Sequence, residues 1–482
     1  MHKQLCCDII VQINIKWLSE KYLILTSEQK IYEQEQEMNQ AIQLSDHFGY
    51  RRLIRFTVPS ILMMIVTSIY GVVDGFFISN FVGKTPFAAV NFIMPFLMVV
   101  GALGFMFGTG GSALIAKTMG EGNDERSQNI FSLITYATII SGIVIAVFSI
   151  IFLRPIASFL GAEGVMLDDC VTYGRIILIA LPMLMVQYAF SSLVVTAEKP
   201  NLGLIVTVIA GVTNFIGDIL FMVVLDWGVT GAALATAIGQ IVGGIIPLIY
   251  FARKNPTKLR LGKLVWDKKA MLKTCTNGSS ELLNNISMSI VGMLYNSQLL
   301  KYAGENGVAA YGTIMYVNFI FISVFIGYAV GVAPVISYHF GAKNCDELKG
   351  LLKKSAVLTL GASAVMFAIA EFLAAPLAKI YVGYDAQLFD MTTHAFKIYA
   401  FSFLFAGVAI FGSAFFTALN DGLTSALISF LRTLVFQIAA VMLLPLVWEL
   451  DGIWMSIIVA EFMAVAVTVI FIAAKRRKFG YL

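Results

Sequence analysis

Twelve apolar runs divide this 482-residue chain, each long enough for the roughly 20 residues that carry an α-helix across a bilayer. They fall near residues 55–80, 87–115, 130–152, 173–196, 203–225 and 229–252, then near 274–298, 308–337, 354–376, 394–418, 423–447 and 452–474. In lipid the backbone must satisfy its own hydrogen bonds, so runs of this kind fold as helices. With 59% hydrophobic and 13% charged residues, the chain is too apolar for a soluble globule of this length. The expected class is therefore an all-α integral membrane protein with 12 transmembrane helices.

Composition also excludes functions. No basic cluster reads as nucleic-acid binding, and the net charge of +4 says little by itself. Cys6, Cys7, Cys170, Cys275 and Cys345 show neither CxxC nor Cys/His metal spacing, and the four His residues are scattered. Neither a disulfide framework, a zinc site nor a cofactor is expected, and the chain does not read as an enzyme. Residues 1–37 mix charge with short apolar pieces and lack the order of a signal peptide. Residues 1–44 are expected to form a tail without fixed structure, or translation starts at Met38.

The distribution of Lys and Arg gives the topology. Alternate loops on the side of the chain start hold 22 of the 33 basic residues, among them the eight from Arg253 to Lys273 and the four from Lys475 to Lys478. The opposite loops hold six: Lys84, Arg154, Arg175, Lys301, Lys379 and Lys397. Both termini are then expected in the cytoplasm, in a multi-pass protein of the cytoplasmic (inner) membrane.

Sliding the chain 221 residues along itself reveals an internal repeat. Gly83 matches Gly304, Gly120 matches Gly341, Asn123 matches Asn344, Pro155 matches Pro376, Trp227 matches Trp448, and Gly231 matches Gly452. Six helices per half is an even number, so the halves share one orientation and are parallel repeats. The boundaries read as 45–252 for the first lobe, 253–273 for a cytoplasmic linker, 274–474 for the second lobe and 475–482 for a basic tail. Two such halves are transporter architecture.

Polar stripes mark the candidate site. In the fifth span, Thr207, Gly211, Asn214 and Asp218 fall on one helix face. An Asp near the bilayer centre costs about 2.5–3.5 kcal/mol, so it faces a partner or water. The first span carries Met63, Thr67, Tyr70, Gly71 and Asp74 at spacings of three and four, and the sixth offers Thr236. At about 1.5 Å per residue, Asp74, Asp218 and Thr236 each lie ~9–10 Å from the outer ends of their spans. Two carboxylates, an amide oxygen and a hydroxyl at one depth are hard ligands suited to H⁺ or Na⁺. Ionising both acids at once is costly. An intramembrane Asn or Thr alone is more often an interhelical hydrogen-bond partner, whereas paired acids point to function.

In the second half, Tyr295, Val435 and Ala439 stand opposite Asp74, Asn214 and Asp218, so the acidic site is one-sided. Glu281, near a helix start, suits either stability or function. Glu461, opposite Gln240, is a third candidate acid, and Arg432 can pair with an acid that spacing does not identify.

Taken in order, VVDGFFISNFVG, AKTMGEGNDERS, TAEKPNLG, NFIGDILF, GVTGAALATAIGQ and GVAPVISYHFGAKN resemble the multidrug and toxic compound extrusion (MATE) family over residues 45–475. The resemblance places the family's first-span aspartate on Asp74, its fifth-span Asn and Asp on Asn214 and Asp218, and its sixth-span threonine on Thr236. A helix-bending proline falls on Pro59. It implies an antiporter in which inward Na⁺ or H⁺ drives export of amphipathic, often cationic, compounds. The pattern is most similar to the bacterial branch with its cation site in the first lobe; another branch places an acid where this chain has Ile286. A monomer is expected. The alternative is a flippase for lipid-linked precursors, but a diphosphate headgroup calls for several basic residues in the cavity, and only Arg432 is available.

Overall fold

The computed structural model describes residues 42–481, and the regular elements among them are helices. α1 (Tyr50–Phe77) continues into a π-helical segment, Ile78–Val82. α2 (Lys84–Gly120), α3 (Asp124–Leu160) and α4 (Gly164–Thr196) follow. α5 (Pro200–Asp218) also runs into a π-helical segment, Ile219–Val224, and α6 (Gly228–Ala252) completes the first half. α7 (Lys268–Gly341) has 74 residues and a break at Gly304. At about 1.5 Å per residue it would be ~110 Å long if straight, so it makes two crossings. α8 (Cys345–Val382) precedes α9 (Ala386–Ala400) and α10 (Phe403–Ala418), which meet at a 47° bend and form one broken crossing. α11 (Gly422–Phe430), a π-helical segment (Leu431–Val435) and α12 (Phe436–Leu443) make one more, and α13 (Pro445–Phe479) is the last. The described residues thus cross twelve times.

Local signals place the turns, and they repeat. Gly83 (φ 116°) and Gly304 (φ 62°) adopt the left-handed backbone that favours glycine, each at the turn between the first and second crossings of its half. The Asn123 side chain accepts from Arg126 N at 3.0 Å at the start of α3, and Asn344 accepts from Glu347 N at 3.1 Å at the start of α8. Both caps are followed by acids in the first turn, which favour a helix N-terminus. The repeat is therefore structural as well as sequential.

Its register is not constant. The helix starts at Glu163 and Asp385, and again at Lys199 and Asp421, lie 222 apart rather than 221. Counted from those starts, Asn214 and Asp218 stand opposite Phe436 and Ala440 instead of Val435 and Ala439. All four positions are apolar, so the site stays one-sided.

The two halves meet at the basic end of the bundle, where the Lys- and Arg-rich loops lie. Gly120 sits on the Tyr338 carbonyl and Gly341 on the Lys117 carbonyl; a Cβ on either would overlap the facing backbone. Asn420 Nδ2 donates to Ala113 O at 3.1 Å. Among the described residues, the hydrogen bond between halves farthest from that end is Ser68 Oγ to Phe319 O, 3.2 Å, midway along α1.

A short segment before α1 straps this end. Leu44 and Phe48 are fully buried. Leu44 N donates to Glu198 Oε1 (2.7 Å) in the first half, and Phe48 N donates to Glu347 Oε1 (2.9 Å) in the second. His47 Nδ1 meets Glu347 Oε2 at 2.5 Å, and Lys354 Nζ donates to Phe48 O. The tail expected over residues 1–44 falls almost wholly outside the described residues, as does Met38; from Leu44 onward the chain is bound.

Candidate functional site

α1, α5 and α6 bring Asp74, Asn214, Asp218 and Thr236 together. Thr236 Oγ1 donates to Asp74 Oδ1 (3.2 Å) and shares its hydrogen with Ala232 O (3.1 Å). Asn214 Nδ2 donates to Asp218 Oδ1 (3.4 Å), and Asn214 also lies beside Asp74. The two carboxylates are within electrostatic reach of each other, and both are buried, Asp218 completely. Asp218 Oδ2 is buried without a hydrogen-bond partner. A sealed carboxylate oxygen without a donor is costly, so this atom is poised for a proton or a cation.

Small residues permit the close approach. Gly239 on α6 faces Asn214, where an added Cβ would lie 3.0 Å from the Asn214 Cβ. Gly211 faces the Tyr70 ring, so the polar stripes of α1 and α5 meet. A pocket of about 10 Å³, near the lower limit for one water, is lined by Tyr70, Gln187, Ala210, Asn214, Thr236, Gly239 and Gln240. The Gln187 and Gln240 side-chain oxygens are buried without partners.

The remaining expected residues are placed as follows. Met63 is buried with its Sδ toward Gly203 of α5, and Thr67 Oγ1 donates back to Met63 O. Pro59 is buried, and α1 runs through it unbroken. Glu461 finds the partner that spacing did not reveal: Arg432 Nε donates to both carboxylate oxygens, at 3.0 and 2.9 Å. Glu281 senses Arg432 electrostatically without a hydrogen bond to it.

Sequence reasoning missed three groups. The fully buried Tyr173 of α4 lies near Asp74, Thr236 and Asp218. Gln187 stood out as an amide inside an apolar run, and Gln240 entered only as the repeat mate of Glu461; both were available signals. Tyr173 had none, being one of 18 tyrosines. Among the described residues no cluster of three or more His, Cys, Asp or Glu side chains could hold a metal ion.

Duplicated six-crossing halves with an intramembrane acid pair on one of them define a membrane transporter rather than an enzyme. The chain belongs to the MatE family, whose model matches it twice, over residues 59–220 and 282–443. It is similar to the multidrug export protein MepA of Staphylococcus haemolyticus, 26% identical over 86% of this chain and 90% of that protein. MepA of Staphylococcus aureus is 24% identical over 86% of this chain and 91% of its own length. Among solved structures, a MATE transporter in complex with MaL6 shares the fold at a TM-score of 0.87, with 20% identity over 92% of this chain and all of that one. An outward-facing multidrug resistance MATE transporter of the MOP superfamily gives 0.86, with 21% identity over 92% and 99%.

Proposed function

We propose that this protein is an antiporter that exports amphipathic, often cationic, compounds across the cytoplasmic membrane in exchange for inward Na⁺ or H⁺. The observation that carries the reading is the pairing of Asp74 with Thr236 and Asp218 with Asn214 across three helices, with one Asp218 oxygen left without a donor. Asp74, Asn214, Asp218 and Thr236 would hold the coupling cation, the two acids supplying charge and the other two neutral oxygens. The relatives named as multidrug export proteins support the substrate class. Among the described residues Arg432 is the single basic side chain at mid-depth, and it is engaged by Glu461, which disfavours a lipid diphosphate as cargo.

In this reading the basic end and both termini are cytoplasmic, and the halves 45–252 and 274–474 act as lobes of a monomer. Their contacts at the basic end then describe a form closed toward the cytoplasm. Loading the acids with cation changes the charge between α1 and α5 and favours their repacking, with Pro59, which lacks an N–H, as a place where α1 can bend. Asp74→Asn and Asp218→Asn keep the shape and fix the charge at zero. In proteoliposomes under an imposed Na⁺ or pH gradient, either variant should reduce efflux of a cationic dye to background. Near wild-type efflux by a variant would remove that residue from coupling.

A further inference from the structure

The second half also holds a charge at mid-membrane, and its sign is opposite. Arg432 lies ten residues into the crossing that starts at Gly422, about 15 Å deep, and Glu461 lies about 18 Å into the final crossing, counted from its break at Glu449. Half of a ~30 Å hydrocarbon core is the same depth. The Arg432 side chain is 13% exposed and that of Glu461 3%. A guanidinium facing lipid at this level is heavily penalised, so the accessible part of Arg432 faces the interior of the bundle.

The pair leaves half of the guanidinium free. Glu461 takes only the Nε donor. The terminal amino groups of Arg432 make no hydrogen bond to any described residue, and they are not among the sealed polar atoms. A guanidinium fork with an open edge is suited to a planar carboxylate. Arg432 also sits inside the π-helical segment Leu431–Val435, the kind of local irregularity that re-aims side chains at functional sites.

The repeat shows where this edge is. Counted from the helix starts, Arg432 stands opposite Ala210, and Glu461 stands opposite Gln240. Ala210 and Gln240 both line the small pocket beside the acid pair of the first half. One place in the duplicated fold is thus bordered by acids in one half and by a guanidinium in the other. Tyr295 and Tyr399 lie near Glu461, and Tyr295 stacks on Tyr311 at 5.2 Å between ring centroids, so the surroundings of the pair are aromatic.

We propose that Arg432, positioned by Glu461, is a carboxylate-binding subsite that receives the anionic end of a zwitterionic aromatic amphipath. The inference deepens the export reading and rests on it for the identity of the cargo. A zwitterion is favoured over a simple anion because, among the described residues, the spans of the site hold more acids than bases away from their ends: Asp74, Asp218 and Glu461 against Arg432. The ammonium end then turns toward the acids and the carboxylate toward the free guanidinium edge.

Tetramethylrhodamine, a zwitterion with a free carboxylate, and its cationic methyl ester form a matched pair of probes. Binding of each to the purified protein in detergent, read by fluorescence anisotropy, gives an acid-to-ester affinity ratio that is insensitive to the folded fraction. Arg432→Gln alone strands Glu461, so the informative variant is Arg432→Gln with Glu461→Gln, a change the fold accepts at Gln240 in the first half. The ratio should fall about tenfold, the worth of a charge-assisted hydrogen bond, and Arg432→Lys, which keeps the charge but not the fork, should fall between. A ratio unchanged within twofold in the double variant would overturn the subsite and leave Arg432–Glu461 as a structural pair. Anisotropy requires no transport. A wild type that shows the Arg432-dependent ratio but moves neither dye under a gradient would therefore sink the export reading and leave the subsite standing.

Discussion

Thr236 has one hydroxyl hydrogen and two acceptors, Asp74 Oδ1 and Ala232 O, so its hold on Asp74 is shared and readily exchanged. Thr236→Val keeps the volume and removes the oxygen. If Na⁺ is the coupling ion, losing this ligand should raise the half-saturating Na⁺ concentration for dye efflux about tenfold, while Thr236→Ser stays within twofold. An unaltered Na⁺ curve in the valine variant would take the hydroxyl out of the site. Asp74, Asn214, Asp218 and Thr236 were legible in the sequence because depth and helical spacing both derive from counting residues. The partner of Arg432 was not, since a contact across 29 residues depends on how two helices rotate about their own axes. Tyr173 escaped for the same reason.

Helix ends carry their own energetics. Asn123 and Asn344 each satisfy one backbone donor at the start of α3 and α8. Replacing either by Ala should destabilise the protein by ~1 kcal/mol; thermal unfolding in detergent measures it, and an unchanged midpoint in either variant would remove that cap from the ledger. Before α11, burial alone would push the Asp421 carboxyl up, yet hydrogen bonds from Lys475 (2.5 Å) and Thr424 (2.9 Å) outweigh it and hold the group below the usual carboxylate range. A depressed carboxylate contributes stability that is complete above its unfolded value and lost as pH falls through the folded one. Lys475→Met should therefore lower stability at neutral pH and flatten its acid dependence below about pH 4. Twelve crossings were readable from hydropathy, and their repeat from residues matched at a fixed offset. The slip from 221 to 222 and the bend between Ala400 and Phe403 were not, because one extra residue or a local break leaves an apolar run apolar.

At the scale of the whole molecule, the halves touch at the basic end through positions where only a hydrogen fits, Gly120 and Gly341 among them. Gly120→Val should prop that end apart. A maleimide added from the side of the basic end should then label a cysteine introduced at Thr274, buried here against Gly110 of the other half, faster than in the Gly120 background. Equal labelling would mean that the closure does not depend on this contact. The strap has a different consequence. Leu44 and Phe48 are moored to Glu198 in one half and Glu347 in the other, so in the proposed export cycle parting the halves at this end would break a hydrogen bond to a carboxylate on every turn. In that cycle such a mooring would act as an escapement: it would leave the destination of each stroke alone and set how long the molecule waits before the next one.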